Sequence, residues 1–553
     1  MTEHMRMGRL ERLLSLVTRV RPGEGRAALL FFLHAFLLLS SFQVIKAVRD
    51  GFILTRFSAE TRSYVVALMA LLLMFIVPLY ALVRRHLDGA RLLRVVTIFF
   101  VMTLPVFAVL AHFQAPIAIV FYVWVGIYGV MVVAQMWAFA ADSFNVKTGQ
   151  RLFVVIALGA NLGALVGAKL TQVAVQALSS MGLLLIATCA LGATLLLATP
   201  ERAAVPAGSR CIPTDEKQHV PHLLGGIALV LRDRYLLLIA MFVVLLNWIN
   251  STGEFILAAY VKTHALAHMA AIGGDEEALR TYISAFMANF YFWVTLIGLA
   301  IQLLLVARVY RLMGMRGALL VHPVIVAVGY GLLAFSPMLG GFIPLFSLIR
   351  RVKVADNGVD YSLMNTTRQA LFLPVDRDSK YDGKMAIDTF FWRFGDLLMA
   401  GGVYVGLNLL VWDTHQFALF NLALALIWIL LALAMGRSYS SKTLESMGNT
   451  APEAVDPIPD LQCTPGVSFR HQVPPTAFLD ADPGDVLMLH AICEDGKPLP
   501  RWLHFNGQQQ FFFGTLPQHL EIEELRVVVI ASDLDGLKAR STFMVRPLLP
   551  PAV

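Results

Sequence analysis

"ERAAVPAGSRCIPTDEKQH", Glu201 to His219, is the stretch on which the fold turns. It is polar, charged and punctuated by proline, and it interrupts a chain that is otherwise a succession of apolar runs. A helix needs about 20 predominantly apolar residues to cross a bilayer. Six such runs precede the stretch, at 27–45, 64–83, 95–113, 117–140, 153–173 and 181–199, and six follow it, at 236–258, 283–307, 317–335, 339–362, 385–409 and 414–435. The 553 residues are 58% hydrophobic and 15% charged, with a mean hydropathy of +0.69. Soluble domains carry about a quarter charged residues. The expectation is an all-α polytopic membrane protein of about twelve transmembrane helices in two six-helix halves, followed by a small all-β domain.

The expected organisation is a basic N-terminal segment (1–26), a first half (27–199), a linker with an interfacial helix (200–235), a second half (236–437), a second linker (438–463) and the β domain (464–553). The interfacial helix comes from "LLGGIALVLRDRY", whose apolar part is too short to span. Sidedness follows from Lys and Arg. Arg6, Arg9, Arg12, Arg19, Arg21 and Arg26 precede the first span; Arg84, Arg85, Arg91 and Arg94 follow the second; Lys147 and Arg151 follow the fourth; Arg308, Arg311 and Arg316 follow the eighth. The alternate loops "HFQAP", "QALSSMG", "FSPML" and "VWDTHQ" have none. The positive-inside rule then puts both termini in the cytoplasm, in a bacterial inner membrane. The net charge of +7 resides in these loops and does not argue for nucleic acid. Met1 to Arg26 reads as a basic amphipathic segment rather than a signal peptide. The four cysteines show neither metal spacing nor a disulfide framework. No Walker A motif appears, so ATP-driven pumping is not expected. No enzymatic constellation, cofactor or metal is expected either.

Ionisable residues inside a membrane are costly and mark pathways or pairs. Three constellations stand out. In "SSFQVIKAVRDGFILTRF" (Ser40 to Phe57), Lys46, Arg49 and Asp50 fall at i, i+3, i+4, one face of a continuing helix. Anchoring at the interface needs only one long cation. Two cations with a carboxylate suit a site for an anion. "LNWINSTGEF" (Leu246 to Phe255) brings Asn247, Asn250, Ser251, Thr252 and Glu254 around a glycine. It reads as an unwound or cavity-lining turn, or as interhelical hydrogen bonding. The third runs from Arg350 to Asp396. Asp356, Asn357 and Asp360 lie within a span, and Arg393 and Asp396 fall at i, i+3 in the next, where they also read as an ion pair. The candidate substrate-binding residues are Lys46, Arg49, Asp50, Asn247, Asn250, Glu254, Asp356, Asp360 and Arg393. Two glycine rows, Gly159, Gly163 and Gly167, and Gly402 and Gly406, read as close-packing helix faces.

"DYSLMNTTRQALFLPVDRDSKYDGKMAID" (Asp360 to Asp388) resembles the signature of the ATP/ADP translocases of plastids and obligate intracellular bacteria. Tyr361, Ser362, Leu363, Pro374, Lys380, Gly383, Lys384, Ala386, Ile387 and Asp388 stand at matching places. "VRDGFILT" is similar to that family's Lys-Asp motif in helix one, with Arg49-Asp50 in its place. "WAFAADSFNVKTGQRLFVVIALGANLGAL" resembles its fourth-to-fifth helix segment, with Trp137, Arg151, Phe153, Gly159, Ala160 and Asn161 in register. The resemblance spans about residues 27 to 437. It implies a fold of the major facilitator type, with two parallel repeats and substrate bound between them. It also implies an anionic, nucleotide-like substrate taken by exchange. Arg49 would keep the cationic role, and Glu254 would match an acidic residue in helix seven. There are departures: the acidic residue of helix four is apolar here, near Val125, and the Lys before Tyr-Ser is Asp360. A reversed charge changes which anion is recognised, so the expected substrate class widens to other phosphorylated anions.

Beyond Arg437 the pattern changes to short alternating runs, "DVLMLHAI", "QFFFGT", "ELRVVVIASD" and "STFMVR", separated by turn signals, as in a β-sandwich. Pro498-Leu499-Pro500, Trp502-Leu503, Phe505, Phe513-Gly514-Thr515, Ala531-Ser532-Asp533 and Asp535-Gly536 resemble a cadherin-like or dystroglycan-type Ig-like domain. That family is usually extracellular, whereas the loop charges place this domain inside, with Cys463 and Cys493 as free thiols. Asp480, Asp482, Asp485 and Asp533 read as a solvated acidic loop rather than a Ca²⁺ site. The function expected is a secondary transporter exchanging nucleotides or other phosphorylated anions by alternating access. The alternatives are a major facilitator for a muropeptide or lipid-like amphiphile, proton-coupled at Glu254, or a membrane-anchored protein presenting the Ig-like domain to a protein partner.

Overall fold

The computed structural model describes residues 11, 18, 20–21, 24–84, 89–144, 146–197, 223–339, 344–375, 382–447, 451–480, 487–518, 524–533 and 537–548. The linker expected at 200–222, Cys211, the basic loop at 85–88 and Lys380 lie outside them. Two compact units result, Met1–Tyr439 and Ser440–Val553.

In hydrocarbon every backbone N–H and C=O must be satisfied within its own segment, so the apolar runs of the first unit form helices. The first half comprises α1 (Gly25–Arg56), α2 (Ala59–Arg84), α3 (Gly89–His112), α4 (Ala118–Ser143), α5 (Val146–Ala174) and α6 (Ser180–Leu197). Then come the short α7 (Leu223–Arg232), α8 (Arg234–Ile272), α9 (Glu276–Leu304) and α10 (Val306–Ala334). Asp233 starts α8, its carboxylate accepting from the backbone N–H of Tyr235 at 2.7 Å and of Leu236 at 2.9 Å. Gly314, at φ 62°, kinks α10 near its start.

Two of the twelve expected spans are segmented. One is α11 (Leu345–Val359), a π-helical turn (Asp360–Met364) and α12 (Asn365–Ala370). The other is α13 (Lys384–Ala386), a π turn (Ile387–Phe391), α14 (Trp392–Tyr404) and a further π turn (Val405–Leu409). α15 (Thr414–Met447) closes the unit. Among the described residues ten helices are long and apolar enough to cross a membrane, and the two segmented spans are not among them. Those two carry Arg350, Arg351, Lys353, Asp356 and Asp360, and Arg393 and Asp396. The interruptions therefore fall where the charges are.

Three sequence expectations change. The first span does not end at residue 45; α1 runs to Arg56, so Lys46, Arg49 and Asp50 sit inside it. The polar run Asn247–Glu254 is not unwound; α8 passes through it unbroken, and the irregular turns lie in the two segmented spans instead. The linker at 438–463 is mostly structured, because α15 continues to Met447 and two strands precede Thr464.

Helix packing also sorts the two glycine rows. A Cβ on Gly159, Gly163 or Gly167 would overlap the carbonyl oxygen of Phe32, Phe36 or Ser40 respectively. Three glycines at a spacing of four thus meet three carbonyls at a spacing of four, and α5 lies directly on the α1 backbone. Gly402 does not repeat this. A Cβ there would meet Trp248 Nε1 at 3.6 Å, an ordinary contact, and Gly406 faces the rings of Phe417 and Trp412. The close approach in α14 is at Gly395, whose Cβ would lie 2.9 Å from the Val244 carbonyl of α8.

The second unit is a β-sandwich. Its strands are β1 (Glu453–Ala454), β2 (Leu461–Cys463), β3 (Ser468–Gln472), β4 (Phe478–Leu479), β5 (Met488–Cys493), β6 (Leu503–Asn506), β7 (Phe511–Thr515), β8 (Leu525–Ser532) and β9 (Lys538–Pro547). One sheet has the order β2-β9-β8-β5 and the other β3-β7-β6, with β1 paired to β4. β2 joins β9 in parallel. Alternate residues Val527, Val529 and Ala531 of β8 point inward against Phe512 and Phe543. Cys463 and Cys493 are both free, and burial pushes both thiols up. The Asp533 carboxylate accepts from the Leu537 N–H at 2.8 Å; Asp482, Asp485, Asp535 and Gly536 lie outside the described residues.

Candidate substrate site

α1 is the central helix of the site. It packs on α5 and α6 in its own half and on α9 of the other. Arg49 and Asp50 are neighbours in sequence and pair directly, Arg49 Nε and Nη2 donating to Asp50 Oδ1 at 3.1 and 2.8 Å. The Tyr291 hydroxyl of α9 donates to the other carboxylate oxygen, Oδ2. The Arg49 guanidinium lies 4.2 Å from the ring centre of Tyr122 on α4, and Lys46 Nζ lies 3.9 Å from that of Tyr291. Aromatic faces attract cations most strongly where water is excluded.

From Asp50 the charges continue into the second half. Arg62, in the first turn of α2, has Nε 3.9 Å from Asp50 Oδ1 and Nη2 3.6 Å from Glu254 Oε2 of α8. Glu254 Oε1 accepts from Asn357 Nδ2 at 2.9 Å and lies 3.8 Å from Lys353 Nζ of α11. Lys353 Nζ donates to Asn250 Oδ1 at 2.5 Å and to Asp356 Oδ2 at 2.7 Å. His322 Nε2 of α10 stands 2.9 Å from Asp356 Oδ1.

The result is one continuous run of charges through the first unit, from α1 and α2 to α8, α10 and α11. Buried charges persist only when paired, and these are: Arg49, Asp50, Arg62, Lys353 and Asp356 are all buried. Lys46 and Glu254 are less deeply buried, and Glu254 is the one of the two that links the halves. Its side chain keeps 21% of its exposure, and it stands between two cations in the middle of the run. Four cations, Lys46, Arg49, Arg62 and Lys353, meet three carboxylates, Asp50, Glu254 and Asp356. The site therefore carries an excess of positive charge.

Of the expected residues, Lys46, Arg49, Asp50, Asn250, Glu254 and Asp356 come together here. Asn247 and Arg393 do not. They belong to a second cluster between α8 and α14, where Asp396 Oδ1 accepts from Asn247 Nδ2 and Ser251 Oγ, both at 2.8 Å, and Arg393 Nη1 lies 3.6 Å from Asp396 Oδ2. The ion-pair reading of Arg393 and Asp396 describes that geometry. Asp360 is buried in its π turn, and its carboxylate makes no hydrogen bond or ion pair among the described residues.

Sequence reasoning missed Arg62, Lys353, Tyr122, Tyr291 and His322. Lys353 had a visible signal, since it lies three residues before Asp356 on the same helical face. Arg62 stands just before a span, where a cation ordinarily reads as an anchor. The tyrosines read as two aromatics among many.

The halves are also tied at the neighbouring helix ends. Arg56 Nε lies 3.0 Å from Glu276 Oε1, Lys262 Nζ donates to the Phe57 carbonyl at 2.7 Å, and Asn408 Nδ2 donates to Glu60 Oε1 at 2.8 Å. Together with Arg62–Glu254, these contacts gather around the turn from α1 to α2, reached by the start of α9 and by side chains of α8.

Helices arranged in this way give a multi-pass membrane fold of the major facilitator type. A POT family transporter in complex with 5-aminolevulinic acid has the same fold (TM-score 0.54, 13% identity, covering 76% of this chain and 97% of that one). So does a mutant of the nucleoside transporter NupG (TM-score 0.53, 13% identity, 74% and 99%).

More particularly, residues 181–439 match the TLC ATP/ADP transporter model, and residues 451–547 match the putative Ig domain model. ADP,ATP carrier protein 1 of Chlamydia trachomatis serovar D is 24% identical over 328 residues, 53% of this chain and 58% of the relative. ADP,ATP carrier protein 1 of Chlamydia pneumoniae is 28% identical over 179 residues, 29% of this chain and 34% of the relative. The chain thus spans about three-fifths of the length of the first of these relatives.

Proposed function

We propose that the protein is a carrier that exchanges nucleotides or other phosphorylated anions across a bacterial inner membrane by alternating access. The observation that carries this reading is the buried run of charges joining the two halves, with more cations than carboxylates and with Glu254 as its accessible link. An incoming phosphate offers Arg62 and Lys353 the charge that Glu254 supplies to them. Taking Glu254's place loosens Arg62–Glu254, a link between the halves, so binding and opening become one event. Only interactions that differ between the two states can drive such a change. The similarity of residues 181–439 to TLC ATP/ADP transporters supports a nucleotide as substrate. With both termini in the cytoplasm, the ties at Arg56–Glu276 and Lys262–Phe57 close the extracytoplasmic end. The Ig-like domain then sits inside and is available to a protein partner.

The test is exchange in liposomes. Purified protein is reconstituted, and uptake of labelled ATP, ADP, other nucleotides and sugar phosphates is followed with and without the unlabelled compound inside. Uptake that requires internal substrate is expected, and Arg49→Gln should abolish it without lowering the amount of protein in the membrane. A folded protein that takes up none of these anions sinks the reading, and normal uptake by Arg49→Gln removes the site from it.

A further inference from the structure

Away from the charge run, α9, α10 and α11 leave two clefts on the membrane face of the second half. The larger, of about 640 Å³, lies between Trp293, Ile297 and Ile301 of α9 and Val354 and Val359 of α11. The smaller, of about 350 Å³, lies between Val324, Val328 and Leu332 of α10 and Leu348 and Val352 of α11. Both are apolar for most of their length. They share Ile325, Arg351 and Ala355, so two apolar channels adjoin there and Arg351 is the one charged side chain common to both.

Arg351 is exposed, and among the described residues its guanidinium has no hydrogen bond or ion pair. Arg350 beside it donates to Asn289 and lies 5.6 Å from the centre of the Phe286 ring. An unpaired cation on a membrane face reaches for the headgroup layer, and its position allows this. Gly329 of α10 packs against Val352. Arg351 is therefore level with a point about five residues, roughly 8 Å, from the end of α10 at Ala334. From Ser347 to Val359 the larger cleft follows roughly 18 Å of helix, about one leaflet of a ~30 Å hydrocarbon core.

We infer that this face holds a phospholipid with an anionic headgroup, its phosphate on Arg351 and Arg350 and its two acyl chains in the two clefts. Two channels converging on one positive point match a molecule with two tails and one negative head. A single-chain fatty acid would fill one channel, and a zwitterionic lipid would gain less from the arginines. The inference does not depend on what the central site transports.

The full chain is placed in nanodiscs with equal phosphatidylglycerol and phosphatidylcholine, extracted into detergent, and the retained lipid is weighed by native mass spectrometry. Phosphatidylglycerol should be retained over phosphatidylcholine by about fivefold, roughly the contribution of one arginine near a membrane surface. Arg351→Gln should remove most of that preference. Ala355→Phe, which narrows both clefts, should lower retention of both lipids. Arg308→Gln, near the far end of α10, should change neither. Equal retention of the two lipids by the unmodified chain, or a preference that survives Arg351→Gln, overturns the inference. A failure of nucleotide exchange leaves it standing.

Discussion

Lys353 and Asp356 show what a buried charge demands of its surroundings. They pair at 2.7 Å within one helix and are both almost wholly buried. Removing one partner of such a pair strands the other, whereas replacing both with apolar groups of similar volume is often neutral. Lys353→Met should therefore destabilise the protein by roughly 3 kcal/mol, the lower end of the range for breaking a buried pair, because His322 still faces Asp356. Lys353→Met with Asp356→Leu should restore the melting temperature in detergent. Neither variant should exchange substrate, since Glu254 has lost a cation in both. A double variant that melts no higher than the single would refute this account of the pair. At this scale the sequence was partly legible. Lys46, Arg49 and Asp50 declared themselves because the helical period places them on one face, and Glu254 because it is an acid in an apolar run. Arg62 did not, because its partners Asp50 and Glu254 are 12 and 192 positions away and no local pattern encodes them.

Among the helices, the contact between α1 and α5 is the clearest case of sequence dictating packing. Gly163→Ala places a methyl group on the Phe36 carbonyl oxygen and must push the helices apart. Overpacking of this kind costs about 1–3 kcal/mol. Gly402→Ala meets only an ordinary contact, and its effect should stay within about 0.5 kcal/mol. Thermal unfolding followed by intrinsic fluorescence separates the two; equal effects would mean that α5 does not rest on the α1 backbone. Both glycine rows looked alike in the sequence because spacing alone does not reveal which helix lies opposite. Gly395, which does make a close approach, has no glycine partner at that spacing and gave no signal. The π turns were equally hidden, since slipping a hydrogen-bond ladder by one residue leaves no trace in composition. The charges of α11 and α14 did mark those spans as unusual, and the irregularity expected in α8 was found there instead.

On the scale of the whole chain, the change of pattern after Arg437 falls within two residues of the division between the units, whereas the linker at Glu201 to His219 lies within the span of the first unit and outside the described residues. Alternation of polar and apolar residues anticipated the sandwich but not its first two strands, which are too short to show a period. Because the sandwich has its own core, a chain stopped after Met447 should still fold and exchange substrate at an unchanged rate in liposomes. Lost exchange from a well-folded truncated chain would make the Ig-like domain part of the transport cycle. A last consequence follows from the contrast between the two halves. In one, α1 and α5 are zipped along three glycines; in the other, both segmented spans contain turns whose hydrogen-bond ladder has slipped, the places where helices bend. The first half is thus a rigid wall and the second a jointed one, so access should alternate by flexing of one side rather than by two equal bodies rocking. Backbone amides at 360–364 and 387–391 should then exchange hydrogen faster than those of α5, and uniform protection across both halves would restore the symmetric picture.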